Sequence, residues 1–148
     1  MGPILARIQK ESAMSRSEGD STHTGGCLCG AVRYRASGPL RGVVACHCTQ
    51  CRRTSGHHAA MTSVREDKLS LSVAEGLAWY RSSETAERGF CNRCGSNLFW
   101  RPAGEERIAI TAGSLDAPTH LEISEHIFVA DKSDYYEISD GKPQKAAW

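Results

Sequence analysis

Seven cysteines fall into three groups along 148 residues: Cys27 and Cys29 in "GGCLCGAVRY", Cys46, Cys48 and Cys51 in "ACHCTQCRRTSG", and Cys91 and Cys94 in "FCNRCGSNLFW". Thiolates ligate metals and act as nucleophiles, and an odd set of cysteines cannot be closed completely into intrachain disulfides. The C-x-C-x-x-C trio is also spaced too closely for unstrained disulfides within itself. A C-x-x-C followed by glycine, as in "CNRCGS", is a recurrent metal knuckle. Its turn aims backbone N–H groups at the sulfurs, and glycine accepts the positive φ such a turn can require.

Counting partitions the seven thiols. The two separated pairs, Cys27/Cys29 and Cys91/Cys94, supply the four sulfurs of a closed tetrahedral zinc shell and leave the trio as a three-ligand site. Joining the trio to either pair strands one cysteine. In zinc proteins a complete protein shell is usually structural, whereas three ligands with an open position is the arrangement of catalytic sites. The competing reading is a second structural zinc in which His47, His57 or His58 completes the trio. Arg52 and Arg53 follow the last thiol directly. They can hold the carboxylates of a thiol substrate by charge-assisted hydrogen bonds, or simply form a solvated basic turn. The sequence contains no recognisable Ser-His-Asp set, phosphate loop or paired catalytic carboxylates.

The elements that must carry these thiols are short. From Gly26 onward, segments such as "AVRYRAS", "HAAMTSV", "LAWYRSS" and "RIAITAG" are β-branched or aromatic and divided by turn residues, which is the pattern of many strands. The expected fold is mainly β and antiparallel with little helix; "SVREDKLSLSVAEG" comes nearest to a helical period and is expected to hold at most one turn. Residues 1–24 read as a disordered tail, and 25–148 as one domain, since 40% hydrophobic content suffices for a single core. Trp79, Tyr80, Phe99 and Trp100 either wall a small-molecule pocket or, more commonly for strand aromatics, fill the core.

A formal net charge of +1 argues against a nucleic-acid partner. No apolar run reaches the roughly 18 residues of a membrane span, and "GPILA" is short for a signal-peptide core. A cytoplasmic protein is therefore expected, its thiols kept reduced.

Taken together, "GGCLCGAVRY", "CHCTQCRRTSG", "RGFCNRCGSNLFW", "TAGSLD" and "HIFVADKSDYYEISDGKP", in that order, resemble the glutathione-dependent formaldehyde-activating enzyme family, which also includes centromere protein V. The resemblance covers Gly25 to about Gln144. It implies an antiparallel β-tent, a structural zinc on Cys27, Cys29, Cys91 and Cys94, and a second zinc on Cys46, Cys48 and Cys51, whose open position is expected to make it the more labile of the two. It also implies a carbon–sulfur lyase that adds the glutathione thiol to formaldehyde, giving S-(hydroxymethyl)glutathione. Zinc with three thiolates is a weak Lewis acid, yet a fourth thiol can bind and ionise there to become a nucleophile. The expected partners are a small thiol and a small aldehyde. The alternatives are a non-catalytic zinc-binding module for protein or chromatin interaction, and thiol capture or metal handling without turnover.

Overall fold

The computed structural model describes residues 21–148, so most of the expected N-terminal tail lies outside the described residues. The described residues form ten strands, joined by turns, one short helix and a longer segment before the last strand. β1 (Thr22–Gly26), β2 (Arg33–Ser37) and β5 (Leu69–Val73) form a three-stranded antiparallel sheet in the order β1-β2-β5. The larger sheet holds β3 (Val43–Cys46), β4 (Ala59–Arg65), β6 (Leu77–Arg81), β7 (Ala86–Cys91), β8 (Asn97–Pro102), β9 (Arg107–Thr111) and β10 (Ile123–Ile127). Its order is β10-β3-β4-β9-β8-β7-β6.

The mainly β expectation is met, with three local differences. β1 begins at Thr22, inside the segment read as tail. Its sequence "THTGG" has little apolar content because it is an edge strand, and its single buried residue is Gly25. β10 pairs with β3 in parallel, whereas every other named strand pair is antiparallel. The one α-helix among the described residues, α1 (Thr49–Ser55), starts within the cysteine trio. The stretch nearest to a helical period contains only a 3-10 turn at Glu66–Lys68, between strands.

Two-residue periodicity builds the core. On β2, Tyr34 and Ala36 are buried while Arg35 is exposed. They meet Leu98, Phe99, Ile108 and Ile110 from β8 and β9, and Val64 from β4. Tyr34 contacts Phe99 edge to face at 5.3 Å between ring centroids, and its hydroxyl reaches Ser114 Oγ at 2.7 Å. Each fully buried aliphatic side chain of this set stabilises the fold by about 1.5–3 kcal/mol. Cys27 and Cys91 belong to the same buried cluster. One group of thiols is therefore continuous with the core.

Candidate metal centres and their cavity

Four cysteines from two distant turns converge. Cys27 and Cys29 lie in the turn between β1 and β2, Cys91 ends β7, and Cys94 sits in the turn before β8. Their sulfurs all lie within 4.8 Å of one another, with Cys27–Cys29 at 3.7 Å and Cys29–Cys91 at 3.8 Å. A tetrahedron with metal–sulfur bonds of about 2.3 Å has sulfur–sulfur edges of about 3.8 Å. The set therefore fits one zinc-sized ion. Val32 N–H donates to Cys27 Sγ at 3.2 Å. Gly95, at φ 80°, turns its N–H onto the Cys91 carbonyl at 2.8 Å. The Ser96 hydroxyl, 3.2 Å from Cys94 Sγ, leads the interactions that hold that thiol down to about 5. A Cβ at Gly76 would lie 2.7 Å from Cys91 Sγ and 2.9 Å from Ala31 Cβ, so only glycine lets the preceding loop close over this centre.

The trio is built differently. Cys46 closes β3, Cys48 caps α1, and Cys51 is buried in the helix's first turn. Cys48 is extended (φ −63°, ψ 162°), and its sulfur accepts the Cys51 N–H at 3.4 Å. This is the role serine plays at an ordinary helix start. Gly56, at φ 82°, ends the helix after seven residues, its N–H on the Arg52 carbonyl at 2.8 Å. The three sulfurs lie within 4.8 Å of one another, and no histidine nitrogen joins that group. Cys51 is lowered to about 6, first by its hydrogen bond with Cys46 and further by Cys48 and the Arg88 guanidinium. Cys46 moves the opposite way, raised first by the same bond. Three convergent sulfurs without an imidazole fit a three-ligand site.

The histidines do other work. His47, between two of the trio, is fully buried. Its Nδ1 is 2.6 Å from the Tyr136 hydroxyl, its Nε2 is 2.9 Å from His126 Nδ1, and His126 Nε2 is 2.7 Å from Asp140 Oδ2. One polarity satisfies every group: Tyr136 O–H donates to His47, His47 Nε2–H to His126, and His126 Nε2–H to the carboxylate. His57 Nδ1 bonds Tyr135 instead. This chain ties the segment after β10 to the turn carrying the trio.

Burial, followed by the neighbouring His58 and His126, pushes His47 down to about 4. In the pH interval from about 6.5 to about 4 the unfolded chain therefore binds a proton at this residue that the folded chain does not. Stability from this residue is complete above that interval and falls as pH drops through it. Long-range nitrogen–proton NMR is expected to show His47 as a neutral, Nε2-protonated ring down to pH 5. A midpoint near 6.5 for that ring would contradict the assignment.

A cavity of about 640 Å³ is lined by Cys27 of the first cluster together with Arg33, His58, Arg88, Asn97, Phe99 and Asp116; it meets the trio only through Arg88, whose Nη2 is 3.8 Å from Cys51 Sγ. Neither Arg52 nor Arg53 is in that wall. Arg52 reaches Ser133 Oγ at 3.4 Å, and Arg53 is exposed. Of the four aromatics considered, Phe99 alone lines the cavity. Trp79 stacks on Phe99 at 6.1 Å between ring centroids and carries the Arg101 guanidinium over its ring, 4.0 Å from the centroid, while Tyr80 is exposed. Arg88 falls within "RGFCNRCGSNLFW", and His126, Tyr136 and Asp140 fall within "HIFVADKSDYYEISDGKP", but the sequence alone gives none of them a role, because the contacts that define them join distant segments.

Fold and site together define a class: a small two-sheet β domain organised by one four-cysteine and one three-cysteine cluster suited to metal ions. Residues 22–131 match the family model described as "Glutathione-dependent formaldehyde-activating enzyme", and the chain belongs to that family. An uncharacterized lyase of Schizosaccharomyces pombe is 29% identical over 119 residues, covering 80% of this chain and 86% of the relative. A Halomonas elongata protein whose name refers to a glutathione-dependent formaldehyde-activating enzyme is 32% identical over 124 residues, covering 77% and 79%. A crystal structure of a Rhodobacter sphaeroides protein superposes with a TM-score of 0.54 at 28% identity, over 66% of this chain and 91% of that one.

Proposed function

We propose that the protein is a zinc-dependent enzyme of the carbon–sulfur lyase type, acting on the adduct of a glutathione-like thiol with a small aldehyde or related electrophile. Cys27, Cys29, Cys91 and Cys94 hold a structural zinc in this reading, and Cys46, Cys48 and Cys51 hold the second. The observation that carries it is the trio: three convergent sulfurs on a strand end, a helix cap and the helix's first turn, with no fourth ligand among the described residues. When bound there, zinc supplies the charge that keeps a substrate thiol ionised at neutral pH. In the forward reaction the thiolate sulfur bonds to the carbonyl carbon, the C=O π pair moves to oxygen, and that oxygen takes up a proton. The reverse breaks the carbon–sulfur bond with the same atoms and electrons. The family membership and the relatives' names support this chemistry. All seven cysteines are free of disulfides, which supports a reducing compartment such as the cytoplasm.

The test is titration of zinc-loaded protein with glutathione and with S-methylglutathione. Glutathione is expected to bind at least about tenfold more tightly, because a thioether has no proton to release and is a poor zinc ligand. Its heat of binding should change with the ionisation enthalpy of the buffer. Equal affinities with no proton release would replace the enzyme reading with a non-catalytic binding module.

A further inference from the structure

We propose that Arg88 is the residue that recognises the thiol substrate, holding a carboxylate of a peptide-type thiol in the cavity beside the trio. The proposal rests on the thiol reading above and adds the group that selects among thiols. Two arginines line the cavity, and they differ in one respect. Arg33 is neutralised by a two-point contact with Asp116, at 2.6 Å and 3.3 Å. Arg88 has no carboxylate partner among the described residues; its Nη2 reaches only the neutral Gln50 Oε1 at 3.3 Å and Cys51 Sγ at 3.8 Å. Its Nε is buried without a hydrogen-bond partner in the protein, as is Nδ1 of His58 in the same wall.

A guanidinium that faces a cavity with no carboxylate partner, meeting only Gln50 and the Cys51 sulfur, is a site for an anionic ligand, since leaving a charged donor unmet costs more than an ordinary hydrogen bond contributes. Arg88 touches both the cavity and a sulfur of the trio. None of Cys46, Cys48 and Cys51 is in the wall, so Arg88 is the side chain through which a carboxylate bound in the cavity meets the trio. About 640 Å³ is ample for a tripeptide, within the range of ordinary small-molecule sites. Asn97 and Phe99 complete a wall with an amide and an aromatic face. Arg52 and Arg53, adjacent to the trio in sequence, stand outside this wall.

The experiment compares glutathione with its diester, which lacks both carboxylates, on zinc-loaded protein by calorimetry, with metal content and melting temperature measured for every variant. Wild type is expected to prefer glutathione by about 10- to 100-fold, the range for one charge-assisted contact. Arg88→Gln is expected to abolish that preference while melting normally, and Arg52→Gln to retain it. If Arg88→Gln also sheds metal, Arg88→Lys gives the answer, because it keeps a cation beside Cys51 but loses the two-point fork. A reduced preference at full metal content supports the proposal. An undiminished preference in Arg88→Gln or Arg88→Lys, or none in wild type, overturns it. S-methylglutathione separates the two readings. If it binds as tightly as glutathione and still loses its advantage over its own diester in Arg88→Gln, the thiol reading fails and the assignment of Arg88 stands.

Discussion

Serine in place of Cys91 is expected to leave almost no folded, soluble protein. Cys91 has no exposed surface and sits in the same packed cluster as Leu98, Phe99 and Ile110. Its sulfur is 3.8 Å from that of Cys29, 62 residues away, so the four-cysteine centre fastens the turn after β1 to the turn before β8. Binding free energies at closed zinc sites are on the order of 10 kcal/mol, against net domain stabilities of about 5–15 kcal/mol. Removing one ligand takes away most of that margin and leaves a hydroxyl in an apolar surrounding. The checks are soluble yield, circular dichroism and metal per chain. A Cys91→Ser protein melting within a few degrees of wild type would show that this centre is not part of the folding free energy.

Triple replacement of Cys46, Cys48 and Cys51 by serine is expected to have the opposite profile. Zinc content should fall from two ions per chain to one, and thiol binding and any turnover should vanish, while the melting temperature moves by only a few degrees. The turn bearing the trio does not depend on metal alone. It is held by pairing of β3 with both β4 and β10, and by the bonds from Tyr136 through His47 and His126 to Asp140. Serine at position 48 still caps a helix. Stability lost as severely as in Cys91→Ser would mean that the trio is a second structural centre.

The division of the cysteines was legible in the sequence because ligand spacing within a knuckle is local, and counting then restricts the combinations. The strands were legible for the same reason, since alternation needs only neighbouring residues. Helix α1 was not: seven residues, "TQCRRTS", are too few to display an apolar period, and its start is capped by cysteine rather than by serine or aspartate. The bonded chain beneath the trio joins Tyr136 to His47 across 89 positions, a separation at which no pattern within a segment can signal contact. Arg88 was hidden likewise. It becomes distinct from the other arginine of the cavity only when the fold shows that Arg33 has Asp116 and Arg88 has no carboxylate. Arg52 and Arg53 drew notice by adjacency to Cys51, but adjacency along a helix turns successive side chains to different sides.

The parallel pairing of β10 with β3 fixes an order of events during synthesis on the ribosome. All four sulfurs of the first centre have been translated once residue 94 has been added, and with them the two turns they join. The three sulfurs of the second have been translated by residue 51, yet one neighbour of their strand arrives only with Ile123–Ile127, and the carboxylate ending the His47 chain arrives at Asp140. The packing around the centre encoded across the wider gap, which reaches Leu115, is thus translated before the last supports of the compact trio, whose own thiols emerge early.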